Sequence, residues 1–198
     1  MKIFAALYVF AYFLIRYVLL ERITGSEIAI YAFEVFFVVV GLFVFKFTKP
    51  KWVRINPIGL LITLVCGGFV FCFTQLNSWI VPLDFQSIQT VVLLLIVAPI
   101  LEEFIYRYAL WNAIERVGNV RISFALTSVL FSLSHFYAYF FVPEEYKGFV
   151  TFQAIYTLGL ALTCGYQRMK KNSVFPAIVL HFLFNLGFYI AGYSLSIS

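Results

Sequence analysis

The chain has 198 residues, of which 63% are hydrophobic, 21% aromatic and only 12% charged, and its mean hydropathy is +0.97. Soluble domains carry about 25% charged residues, so this composition excludes a cytosolic enzyme, a nucleic-acid module and a disordered regulator. The net charge of +5 therefore bears on membrane orientation rather than on an acidic partner, because Lys and Arg collect on the cytoplasmic side of a bilayer.

A membrane-crossing helix needs about 20 mostly apolar residues. In chain order the qualifying stretches are 3–20, 28–47, 58–76, 89–114, 123–141, 149–166 and 174–195. Runs such as VVLLLIVAPI are continuously apolar, which is a helical pattern in lipid and not the alternation of a β-barrel. The expected fold is thus all-α: a polytopic transmembrane bundle of about seven spans in a single integral membrane domain over residues 1–198. The first segment is read as a retained helix, since its apolar run is long and no A-x-A-like cleavage site precedes Glu21.

The connectors set the orientation. Lys2, then Lys46, Lys49, Lys51 and Arg54, then Arg116 and Arg121, then Arg168, Lys170 and Lys171 fall on one side. Glu21, Glu27, Asp84, Glu144 and Glu145 fall on the other, with Arg22 and Lys147 as its cations. This alternation predicts a cytoplasmic N-terminus and an external C-terminus. Cys66, Cys72 and Cys164 lie inside apolar runs, and an odd number there implies packing residues rather than a disulfide framework. Trp52, Trp79 and Tyr193 sit near span ends, where aromatic residues anchor helices at the interface.

Polar residues within the spans carry the chemistry: Arg16, Glu34, Glu102, Glu103, Arg107, His135, His181 and Asn185. A charge at the bilayer centre costs about 2.5–3.5 kcal/mol even on the lenient insertion scale, so adjacent glutamates at mid-span demand partners or a task. Glu103 and Arg107 are four apart and share a helix face, as do Phe131 with His135 and His181 with Asn185. Counted from the cytoplasmic ends at the α-helical rise, Glu103, His135 and Asn185 lie about 18–20 Å deep and His181 about 12 Å deep. Shared depth on three helices points to one buried polar site. Arg16 and Glu34, on two early helices, are placed to pair and are assigned no chemistry.

These groups admit more than one reaction. A buried carboxylate can act as general base on a water that a histidine orients, while a second His and an Asn amide donate to an oxyanion. Alternatively Glu102, His135 and His181 could hold zinc with an open position for water, although HExxH is absent. No Gly-x-Ser-x-Gly motif supports a serine protease. Pro99, three residues before Glu102, frees a backbone carbonyl within the fourth span.

Three strings then carry a family resemblance. APILEEFIYR, ending at Arg107, resembles the EExxxR motif of the CAAX prenyl protease 2 and bacteriocin-processing family, also called Abi or CPBP. SVLFSLSHF resembles its FxxxH motif, and NSVFPAIVLHFLFN its HxxxN motif. Order and spacing agree over roughly residues 90–190, the expected catalytic core; Tyr108 stands where many members carry Gly. The resemblance implies an intramembrane endopeptidase in which Glu102 activates water, His135 positions it, His181 and Asn185 stabilise the oxyanion, and Glu103 and Arg107 support the site. It implies no cofactor in the glutamate mechanism and zinc in the alternative. The expected partners are the lipid bilayer and a peptide or lipidated protein, either of CAAX type or a bacteriocin or pheromone precursor. The expected location is a bacterial plasma membrane. Two other functions remain open at this point: a bacteriocin self-immunity protein acting by binding, and a proton-linked transporter.

Overall fold

The computed structural model describes residues 2–20, 27–43, 51 and 53–196. Among them every regular element is helical, in seven segments labelled α1 (Lys2–Leu20), α2 (Glu27–Phe43), α3 (Pro57–Leu76), α4 (Ile88–Val117), α5 (Val120–Phe140), α6 (Glu144–Lys171) and α7 (Phe175–Ser196). Six are long and apolar enough to cross a membrane, and α2 contributes a shorter apolar helix over Ala29–Phe43. The chain is thus a multi-pass membrane protein whose described helices match the seven apolar stretches. Of the residues used above for orientation, Glu21, Arg22, Lys46 and Lys49 lie outside the described residues, as do the Glu27 side chain and the anchor Trp52.

Local chemistry fixes the helix ends. Asn56 caps α3 through Oδ1, which accepts from the Ile58 amide at 3.1 Å, and Pro57 takes the first turn, where its missing N–H costs nothing. Asn119 caps α5 in the same way, accepting from Arg121 and Ile122. At the end of α6, Asn172 adopts a left-handed conformation (φ 51°, ψ 40°), a geometry Asn tolerates better than most residues. Ser173 then donates to the Lys51 carbonyl, tying the α6–α7 turn to the segment before α3.

The polarity is that of a membrane bundle. Phe4, Phe36, Leu61, Phe69, Ile96, Leu133, Ile155 and Ile190 face outward, whereas Glu103, Arg107, Ser123, Thr127 and Ser128 are fully buried. Cys66 and Cys72 lie on the outer surface of α3, while Cys164 is buried. Between helices in lipid there is no hydrophobic driving force, so close packing and interhelical hydrogen bonds must hold the bundle. Glycines allow the closest approach, where α3 crosses α7. A Cβ on Gly67 would collide with the Phe184 carbonyl, and one on Gly187 with the Leu64 carbonyl. On the α5–α6 face, Ser132 donates to the Ala154 carbonyl at 2.6 Å and Ser128 to the Ala161 carbonyl at 3.3 Å. The α1–α2 pair is joined by Tyr8, which stacks on Phe37 (centroids 3.9 Å apart) and donates to its carbonyl at 2.6 Å.

The central helix α4 runs 30 residues, about 45 Å at the α-helical rise. It is not regular. π-Helical stretches at Leu93–Val97 and Phe104–Leu110 bracket the α-helical turn Ala98–Glu103 that carries the paired glutamates. Such widened turns inside helices cluster at functional sites, and here they set the direction in which Glu102 and Glu103 leave the helix.

Candidate active site

Helices α4, α5 and α7 bring Glu102, Glu103, Arg107, His135, His181 and Asn185 into one cluster, as the shared depth predicts. Glu103 is its fixed point. Its Oε1 accepts from Nδ1 of His181 at 3.0 Å, and its Oε2 lies 3.3 Å from Nε of Arg107 in an ion pair with both side chains at 0% exposure. Arg107 also donates through Nη2 to the Ala161 carbonyl at 3.0 Å and lies over the Phe131 ring, 4.5 Å from its centroid. A buried charge is tolerable only when paired and hydrogen-bonded. Arg107 is paired with Glu103 and bonded to the Ala161 carbonyl, and Glu103 to His181, which links α4, α6 and α7, while Nε and Nη1 of Arg107 and Oε2 of Glu103 have no hydrogen-bond partner among the described residues.

Glu102, one residue earlier, points differently. Its Oε2 lies 3.9 Å from Nε2 of His135 and 3.9 Å from Nε2 of His181, beyond direct hydrogen-bond reach of either. This oxygen has no protein hydrogen-bond partner among the described residues, so its acceptor capacity is open to a group entering the site. The Glu102 side chain is 29% exposed and that of His135 19%, against 0% for Glu103. Adjacent glutamates thus divide into one facing a cavity and one sealed in the support.

The other ring nitrogens constrain the histidines. Nδ1 of His135 is 2.9 Å from the Phe131 carbonyl. A carbonyl only accepts, so Nδ1 carries the hydrogen and Nε2 of the neutral ring presents a lone pair toward Glu102. In His181 the Glu103 carboxylate likewise takes the Nδ1 hydrogen, which leaves Nε2 facing Glu102. The Phe131 ring packs against both, with centroids 4.7 Å from His135 and 5.8 Å from His181.

Asn185 is oriented by the irregularity of α4. In the π-helical register the Leu94 carbonyl should receive the amide of residue 99, but Pro99 has none. Asn185 Nδ2 donates to that carbonyl instead, at 2.8 Å. One amide hydrogen is used in this way, and the same nitrogen carries a second.

Two cavities meet at the cluster. One, of about 310 Å³, is lined on its far side by Arg16 and Glu34; the other, of about 210 Å³, is walled by Phe149, Leu160, Phe184 and Phe188. Ala98, Glu102, His135 and Gln153 line both. Glu102 thus stands in the wall between the two cavities.

Glu102, His135 and His181 are the residues a zinc ion would need. Ligands that share a zinc at about 2.0–2.2 Å lie about 3.3 Å from one another in a tetrahedron. Both Glu102–His separations are 3.9 Å, and no group of three His, Cys, Asp or Glu among the described residues is arranged to hold a metal ion. The donor set does not fit the metal as it stands, and no step is derived through it.

Some contributors were invisible to sequence reasoning. Arg168, grouped there with the connector cations, is buried; it donates from Nε to the Arg107 carbonyl at 2.9 Å and from Nη1 to Asn172 Oδ1 at 2.6 Å. Gln153 borders both cavities from α6. Arg16 and Glu34 do pair, at 3.1 Å, and their place in the cavity wall was not foreseen. Only for Arg168 was there a faint signal, since it lies nearer the helix interior than Lys170 and Lys171.

A family model described as type II CAAX prenyl endopeptidase Rce1-like matches residues 84–187, just over half of the chain. No curated protein and no solved structure matches it significantly. The match spans α4 to α7, the helices that supply all six clustered side chains.

Proposed function

Because the chain belongs to the type II CAAX prenyl endopeptidase Rce1-like family, we propose that it is an intramembrane endopeptidase working by a glutamate-activated water. The observation that carries this reading is Glu102 Oε2, held 3.9 Å from two imidazole nitrogens at the junction of two cavities. The substrate is a membrane-associated peptide or protein segment that reaches the site through those cavities.

The residues divide the work as follows. A water between Glu102 and His135 donates one hydrogen to the carboxylate and the other to the Nε2 lone pair, which turns its oxygen lone pairs toward a substrate carbonyl. As the oxygen attacks the carbonyl carbon, Glu102 takes the first proton. The oxyanion that forms accepts from the His181 ring and from the second Nδ2 hydrogen of Asn185, both pre-oriented by Glu103 and Leu94. Collapse breaks the C–N bond, and the proton held on Glu102 goes to the leaving amine. A new carboxyl terminus and a new amino terminus result. Glu103 and Arg107 touch no reacting atom in this scheme and act as positioning residues.

No metal enters the scheme, so activity of the purified protein should persist in excess chelator; loss on chelation with recovery on zinc would replace the glutamate–water mechanism. Glu102→Gln preserves shape and removes the base. It should lower cleavage by about 10²–10⁴-fold without loss of folded protein, measured as peptide turnover beside thermal unfolding in detergent.

A further inference from the structure

Three polar side chains stand where the two cavities meet: Glu102 on α4, His135 on α5 and Gln153 on α6. The hydrolytic scheme uses the first two and leaves the third idle. Gln153 rises from a fixed stretch of α6. Its own carbonyl accepts from Thr157 Oγ1 at 2.7 Å, and the next one, that of Ala154, accepts from Ser132 of α5. Tyr156, three residues on and so on the same side of α6, lines the apolar cavity and stacks on Phe184, with ring centroids 5.7 Å apart. The walls of that cavity at Phe149, Leu160, Phe184 and Phe188 carry no hydrogen-bonding side chain.

We propose that Gln153 is a substrate-binding residue that pairs with the peptide backbone beside the bond to be cut, and so sets which peptide bond stands against Glu102. An extended peptide in the membrane interior brings N–H and C=O groups that water no longer serves, and each one left unpaired is costly. In an extended chain the N–H and C=O of one residue point the same way, as they do where antiparallel strands pair. A primary amide carries acceptor and donor side by side. Gln153 can therefore accept from the N–H and donate to the C=O of a single substrate residue. The contact is blind to substrate side chains and fixes only the register of the chain.

This inference rests on the endopeptidase reading and extends it to how the substrate is registered. Its test uses the full chain in detergent carrying Glu102→Gln, so that bound peptides stay intact. The best-retained member of a library of apolar hexapeptides, identified by mass spectrometry, is remade as a set of esters in which oxygen replaces one backbone N–H at a time. One ester should bind about five- to tenfold more weakly than the parent, the cost of a single hydrogen bond. Adding Gln153→Met keeps the side-chain length and removes both polar groups. The parent should then bind more weakly by at least that factor, and the ester penalty should vanish at an unchanged unfolding midpoint. Gln153→Glu keeps an acceptor and should restore the penalty, which a purely packing role would not do. The unsubstituted chain should cut the same peptide next to the sensitive position. An ester profile unchanged by Gln153→Met, a cut remote from the sensitive position, or a library from which nothing is retained overturns the assignment. The two readings fail separately: cleavage with a profile indifferent to Gln153→Met removes only the backbone contact, whereas a Gln153-dependent profile with no cleavage removes only the endopeptidase.

Discussion

Arg107 shows how a charge survives in the bundle interior. Its guanidinium has a carboxylate, a carbonyl and an aromatic face around it, and in turn it neutralises Glu103. Arg107→Met should therefore cost about 3–5 kcal/mol, the penalty for leaving a buried partner charge alone, read as a fall in unfolding free energy in detergent. Arg107→Met with Glu103→Leu should recover most of that stability and none of the activity, because His181 then loses its Nδ1 acceptor. At Asn185, Ala substitution should lower turnover by about 10²–10³-fold, the cost of one oxyanion donor, with a smaller change in KM. Much of this was legible at the level of spacing. Glu103 with Arg107 and Phe131 with His135 meet because residues four apart share a helix face. The Asn185–Leu94 and Arg168–Arg107 contacts were not legible, since each ends on a backbone carbonyl whose availability depends on π-helical geometry that leaves no residue-type pattern.

At the scale of elements, the seven apolar stretches were readable because a span in lipid must be long, apolar and helical. The irregularity of α4 was only half readable: Pro99 announces a lost hydrogen bond, but not which carbonyl is released or what takes it. Pro99→Ala should supply an amide to Leu94 and compete with Asn185. Its expected signature is a fall in turnover with an unchanged or higher unfolding midpoint, the opposite pairing from a simple packing defect. The α3–α7 crossing makes a second prediction. Gly67→Ala and Gly187→Ala each drive a methyl into a facing backbone carbonyl and should lower both stability and activity, because α7 carries His181 and Asn185. Gly59→Ala in the first turn of α3 meets nothing within 4 Å and should be neutral or slightly stabilising. Unfolding midpoints of the three variants, measured side by side, check the contrast.

For the whole molecule, the family-matched segment supplies the six clustered side chains, while residues of α1 and α2 line one of the two cavities beside them. Composition revealed the membrane setting and charge alternation suggested the orientation, but neither could show that the first two helices border the site, because the tertiary approach of α1 to α4 has no local signature. The proposed orientation places the α6–α7 turn in the cytoplasm and the start of α6 outside. With Cys66 and Cys72 changed to Ser, a cysteine at exposed Lys171 should react with an impermeant maleimide only in inverted vesicles, and one at exposed Glu145 only in right-side-out cells; the reverse pattern would invert the topology. The central claim is hydrolysis by Glu102, and its most direct test is mass spectrometry of peptide termini in membranes that carry either the unsubstituted protein or Glu102→Gln at equal folded abundance. The account predicts matched pairs of new amino and carboxyl termini with the unsubstituted protein that vanish in the variant. Identical termini in both membranes would contradict it and leave a chain that binds peptides without cutting them.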